Sequence, residues 1–240
     1  PALAAARAAQ HRQRMIALHR RLLAAALGTM LLLATVVGSG IMGVALSNGN
    51  DGIALLANAG ATGGMLYVLI MVLGPISGAH FNPAVTLAMR LRGEITSAHA
   101  IAYIAVQVLS AIAGVLLAHA MFEQPLLQPG THARSGGAQW LSEGVATCGL
   151  LLTILLGTRH RANAIPALVA SYIFAAYWFT ASTSFANPAV TLARSLTQSF
   201  AGIRPQDVVG FVLAQLAGAL VALAIARLLL ARGDVVSARS

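Results

Sequence analysis

The chain has 240 residues, 58% of them hydrophobic and 9% charged, a mean hydropathy of +0.79 and a formal net charge of +9 whose basic side is arginine alone. Soluble domains run at roughly 45–50% apolar, so this composition excludes an ordinary soluble domain and points into a lipid bilayer. The positive excess does not indicate nucleic acid, because the arginines flank apolar stretches instead of forming one dense stripe.

Residues 1–19 read as a basic cytoplasmic tail, and the apolar stretch behind them is too long and too late for a cleaved signal peptide. No lipidation motif opens or closes the sequence. A membrane span needs about 20 largely apolar residues, and such stretches recur at 20–46, 53–74, 98–122, 139–157, 163–181 and 206–231, predicting six transmembrane helices. With an even number of spans, the arginines between Arg7 and Arg21, at Arg90 and Arg92, at Arg159 and Arg161, and from Arg227 to Arg239 share one side. The positive-inside rule makes that side cytoplasmic, with both termini on it. Only Arg134, Arg194 and Arg204 fall on the other side, and residues 123–138 form an extracellular connection. Trp140 and Trp178, near span ends, suit interfacial anchoring. Cys148 is the sole cysteine, which rules out an intrachain disulfide and argues against a thiol-metal site. Residues 232–240 form a second cytoplasmic tail.

An internal repeat organises these elements. Asn82-Pro83-Ala84-Val85-Thr86-Leu87-Ala88 recurs unchanged as Asn187 to Ala193, 105 positions later, and Gln107 in the third span aligns with Gln215 in the sixth. Residues 20–122 and 139–231 are therefore two copies of one three-span design. An odd number of spans per copy makes the second run through the bilayer in the opposite sense. Asparagine is a strong N-cap and proline suits the first helical turn, so Asn-Pro reads as a helix start. The segments behind it, Ala84 to about Leu91 and Ala189 to about Thr197, are too short to span and form half-helices entering from opposite sides. Irregular backbone at membrane depth is tolerated where it lines a water-filled cavity, which assigns Gly74–Phe81 and Thr180–Ala186 to a pore. Two half-helix N-termini, each worth about half a positive charge, repel cations and protons there. Asn82 and Asn187 cap their helices and aim amide donors into the lumen. Ser110, Gly114 and Ala118, and Gly210, Ala214, Gly218 and Ala222, give the third and sixth spans small residues every four positions, so that helices pack closely.

These features resemble the aquaporin and aquaglyceroporin (major intrinsic protein) family over residues 20–231. Ser77-Gly78-Ala79-His80-Phe81-Asn82-Pro83-Ala84-Val85-Thr86 is similar to its first signature and Asn187-Pro188-Ala189 to its second. The resemblance implies an all-α membrane fold of six transmembrane helices plus two re-entrant half-helices in inverted repeats. It also implies one pore per protomer, usually a homotetramer, and passive passage of small uncharged solutes without a cofactor or catalysis. It places an outer selectivity constriction at Thr62, Ala175, Ser184 and Val190, where the family's arginine is replaced by Val190. Such a ring has small side chains and no arginine or bulky aromatic, and is wider than the water- or glycerol-selective patterns. Ser182 to Val190 reads much like the second signature of the bacterial aquaglyceroporins associated with arsenic resistance, which adds neutral arsenite to glycerol-like solutes. Arg194 is expected at the outer surface or a protomer contact. The family's loop-supporting glutamate is matched by Glu143 in the fourth span, whereas its first-span counterpart is Ala25, leaving the first loop to be held by water or another polar side chain.

His80 is a candidate for pore lining and a pH-sensitive gate; a loop histidine held by hydrogen bonds is the plainer reading. His11, His19, His99, His119, His132 and His160 lack metal-ligand spacing and read as tail, loop and helix-end residues. An enzyme is disfavoured by the absence of a phosphate loop, paired carboxylates or a supported nucleophile triad. An ion-coupled transporter needs charged coupling groups in the membrane, for which Glu143 alone is thin support. A water-selective channel and a non-transporting membrane junction protein remain as alternatives.

Overall fold

A computed structural model describes residues 16–230. The predicted tails lie outside the described residues, apart from positions 16–19. Eight α-helices follow in order: α1 (Leu18–Leu46), α2 (Asp51–Ser77), α3 (Pro83–Leu91), α4 (Ser97–Met121), α5 (Gly137–His160), α6 (Ile165–Phe179), α7 (Pro188–Arg194) and α8 (Val208–Leu230). Six are long and apolar enough to cross a membrane, α6 together with the 3-10 turn Ala162–Ala164 that leads into it, and each lies within a few residues of a predicted span.

Side-chain caps set four of the eight helix starts. Asn50 accepts the Ile53 N–H to cap α2, Thr96 accepts the His99 N–H to cap α4, and Asn82 and Asn187 cap the half-helices α3 and α7. Two ends differ from expectation. Gly74–Ser77 is helical, not irregular: the Pro75 ring is accommodated in the last turn of α2, and Gly78, at φ 85°, closes it by donating to the Gly74 carbonyl. The second half-helix stops at Arg194 and not near Thr197. There the chain leaves the helix, and its Ser195 and Leu196 carbonyls accept the N–H groups of Gly130 and Gln128 from the connection after α4.

Packing repeats across the two halves. α1 packs on α2 and α4, α5 packs on α6 and α8, and α2 meets α6 between the halves. The half-helices sit centrally: α3 touches α4 and α8, α7 touches the same pair, and α3 touches α7. Close approach needs glycine at two mirrored crossings. A Cβ on Gly114 of α4 would run into the Met30 carbonyl of α1, and one on Gly218 of α8 into the Gly144 backbone of α5. Leu23, Leu109, Leu141 and Leu213 are exposed on the outer surface, as expected of a protein whose solvent is lipid. The core instead gathers around the re-entrant loops, with Phe81, Phe185, Ala186, Ala189 and Val190 in one cluster.

Candidate functional site

Each motif asparagine has two tasks. The Asn82 Oδ1 accepts the Ala84 N–H at 2.8 Å, and the Asn187 Oδ1 accepts those of Ala189 at 3.0 Å and Val190 at 3.3 Å. Pro83 and Pro188 take the first helical position, where a missing N–H costs nothing. The amides then cross between the halves: Asn82 Nδ2 donates to the Ala186 carbonyl and Asn187 Nδ2 to the Phe81 carbonyl, both at 2.8 Å. A primary amide has two N–H groups. One from each asparagine ties the loops together, and both residues line the cavity. Behind them, Gln107 donates to Thr86 Oγ1 at 3.0 Å and Gln215 to Thr191 Oγ1 at 2.8 Å, while each threonine donates back to its asparagine carbonyl.

The re-entrant backbone is strained in matching places. Ala79 and Phe81 in the first loop, and Thr183, Ser184 and Ala186 in the second, have φ between 45° and 60°. Such non-glycine conformations cost of order 1–3 kcal/mol each and persist only where neighbours hold them. In the second loop the holder is Glu143, fully buried. It accepts the Phe185 N–H (2.8 Å) and Ser182 hydroxyl (2.6 Å) on one oxygen, and the Ala186 N–H (2.8 Å) and Gln215 amide (2.5 Å) on the other. The first loop is held differently. Its counterpart position is the buried Ala25, and the Phe81 ring packs so tightly on Gly28 that no side chain fits there. Tyr103 donates to the Ser77 carbonyl at 2.9 Å and is braced by the Arg21 Nε at 3.1 Å.

A continuous cavity of 1230 Å³ runs past both asparagines. At its arginine-rich end it is lined by Arg92 and Arg159, and at the opposite end by Thr62, Tyr177, Ser184, Val190 and Arg194. The expectation for Ala175 is corrected here. α6 presents Val169, Ile173 and Tyr177 to the cavity at four-residue spacing. Ala175, two residues from the latter pair, is turned by about 200° and is exposed on the outer face. The aromatic at this level is Tyr177, whose hydroxyl lies 3.3 Å from Thr62 Oγ1. The ring is therefore not free of aromatic side chains. Arg194 is also corrected: it is 1% exposed and faces the cavity, not the outer surface. His80 lines the cavity and is held as well, with Nδ1 3.2 Å from Thr86 Oγ1 and its ring 5.6 Å from that of Tyr103.

Two residues that composition treated as ordinary brace this end. Arg134, in the connection after α4, donates to the Gly202 carbonyl at 2.9 Å and the Ser182 carbonyl at 3.1 Å, and its guanidinium lies 5.0 Å from the Phe185 ring centre. Burial lowers its pKa to about 10, so it stays charged at neutral pH. His119, read as a helix-end residue, is fully buried and bridges Leu126 O and Thr197 Oγ1, each at 2.8 Å. Its signal in the sequence is a histidine inside an otherwise apolar span. Among the described residues no group of three or more His, Cys, Asp or Glu side chains is placed to hold a metal ion.

Comparison with known proteins gives consistent matches. The family described as major intrinsic protein matches residues 12–184. The chain is 59% identical over 213 residues to aquaglyceroporin AqpS of Rhizobium meliloti (strain 1021), covering 89% of this chain and 91% of that protein. It is 36% identical over 149 residues to aquaporin PIP2-4 of Oryza sativa subsp. japonica, where the match covers 59% of this chain and half of the plant protein. In three dimensions it is similar to the aquaglyceroporin from Plasmodium falciparum, with a TM-score of 0.72 at 18% identity over 87% of this chain and 95% of that one.

Proposed function

Since the chain belongs to the major intrinsic protein family, and is a multi-pass membrane channel for water and small neutral solutes, we propose that its pore is of the broad aquaglyceroporin type, passing glycerol-sized polyhydroxyl solutes and neutral arsenous acid along with water. The observation that carries this reading is the chemistry of the cavity end away from Arg92 and Arg159. Thr62, Tyr177 and Ser184 line it together with Val190. The Ser184 hydroxyl is buried and has no hydrogen-bond partner in the protein, which leaves an unpaired hydroxyl in the wall of the cavity. A solute with a hydroxylated edge and a hydrocarbon edge matches such a lining. The relative at 59% identity is itself named an aquaglyceroporin.

In this reading Asn82, Pro83, Ala84, Asn187, Pro188 and Ala189 form the midplane, and Glu143 and Tyr103 hold the two loops. Ions and protons are excluded by the half-helix N-termini that meet there. The protein is a homotetramer in a bacterial inner membrane, with both termini cytoplasmic.

The test is light-scattering permeability of proteoliposomes to water, glycerol and arsenous acid, with Val190→Arg as the variant. The native chain passes all three. Val190→Arg, which drives a guanidinium into a site where valine is 5% exposed, keeps water flux but lowers glycerol and arsenous acid flux by about tenfold or more, or about 1.4 kcal/mol in barrier height. Passage of water alone by the native chain would replace this reading with a water-selective one. Passage of nothing would favour the junction protein.

A further inference from the structure

The family position for a filter arginine holds Val190, yet a guanidinium still reaches this part of the cavity. Arg194 lies one turn further along α7. Four residues at 3.6 per turn bring it back to within about 40° of the same face. Helical side chains lean toward the N-terminus and cover the turn before their own Cα, so a long side chain at 194 is carried back toward Val190. Its guanidinium carbon sits 3.4 Å from the centre of the Phe185 ring, and its Nε–H donates to the Ala201 carbonyl. Phe185 is fixed in turn, edge-on against Phe211 at 5.2 Å and with Arg134 at 5.0 Å.

The fixed guanidinium is not satisfied by the protein. Its Nη1 is buried without a hydrogen-bond partner, and no carboxylate among the described residues forms an ion pair with it. A buried charged donor left unpaired is costly. Here the side chain lines the cavity, so the unpaired donor stands in its wall.

We propose that Arg194 replaces the guanidinium absent from position 190, and that it is the residue that sets how well a polyhydroxyl solute passes relative to water and how strictly cations are held out. This rests on the pore reading above. A donor held against an aromatic face replaces one water stripped from a solute hydroxyl, while its charge adds to the two half-helix N-termini in repelling cations.

The test compares full-length native protein with Arg194→Gln and Arg194→Lys in proteoliposomes, measuring water and glycerol flux by light scattering and proton leak with an entrapped pH dye. The readout is the glycerol-to-water ratio, which cancels the number of active channels and so does not move if the substitution only reduces folding yield. Arg194→Gln lowers the ratio roughly tenfold, the scale of one lost charge-assisted hydrogen bond, and raises proton leak. Arg194→Lys, which keeps the charge but cannot keep the planar stack, lowers the ratio while leak stays at the native level. A native ratio and native leak in Arg194→Gln protein that still conducts water would overturn the proposal. If Arg194→Gln does not reconstitute, an unchanged ratio in Arg194→Lys does so. If the native chain passes water but no glycerol, the broad-pore reading falls, and the proton-leak comparison still decides whether Arg194 guards the lumen.

Discussion

Glu143 is a fully buried acid, and its two oxygens take four hydrogen bonds from the second re-entrant loop and α8. Glu143→Ala leaves the Phe185 and Ala186 N–H groups buried without an acceptor, at about 1–3 kcal/mol each. Protein purified in detergent then unfolds at a clearly lower temperature, and its water permeability falls because the carbonyls that line the pore shift. Glu143→Gln keeps one carbonyl acceptor and has a milder effect in both measurements. An unchanged unfolding temperature in Glu143→Ala would show that the loop is held by packing, as the first loop is by Phe81. The importance of Glu143 is legible in the sequence, since a lone carboxylate in a predicted span needs buried partners. The lumen-facing role of Tyr177 is not. Counting back along the chain from Asn187 leads to Ala175, but the facing residue depends on the rotational phase of α6, and a helix that is apolar on every side carries no periodic sign of its phase.

Helix starts were readable for the same kind of reason that helix ends were not. Asn82-Pro83 and Asn187-Pro188 carry their own caps, so the half-helices begin where the local chemistry says. The end of α7 instead depends on Gly130 and Gln128, which lie far away in sequence and supply the N–H groups that receive the chain leaving the helix. The small residues at the helix crossings are legible as a pattern, but which of them bear on a neighbour needs the structure. Gly114 and Gly218 face backbone of α1 and α5, with no space for a Cβ. Gly114→Ala and Gly218→Ala therefore each force the crossing apart and cost about 1–3 kcal/mol, as overpacked cores do. Thermal unfolding in detergent checks this, with Leu109→Ala, 68% exposed on α4, as the control that changes little. Equal losses at all three positions would mean that the crossings are not the tight points of the bundle.

At the scale of the whole molecule, the two halves share a plan but the two ends of the bundle differ in charge, and we propose that this difference sets the orientation. A raw count already places more arginines on the side of Arg90, Arg92, Arg159 and Arg161 than on the side of Arg134, Arg194 and Arg204. The structure sharpens the contrast. Arg134 and Arg194 are buried and committed to carbonyls and to the Phe185 ring, and Arg204 pairs with Asp207 at 3.0 Å. On the opposite side Arg21 is buried and Arg92 pairs with Glu94 at 2.6 Å, but Arg20, Arg159, Arg161 and Arg227 are exposed and form no ion pair among the described residues. The bias that acts on topology, exposed positive charge next to span ends, is therefore stronger than the composition suggests. We predict that a green fluorescent protein fused after Ser240 fluoresces in bacterial cells, and that alkaline phosphatase fused at the same place is inactive while its insertion near Pro129 is active. Alkaline phosphatase activity at the C-terminus would invert the assignment. The Arg194 end of the cavity would then open to the cytoplasm, and solutes entering the cell would meet Arg92 and Arg159 before the constriction.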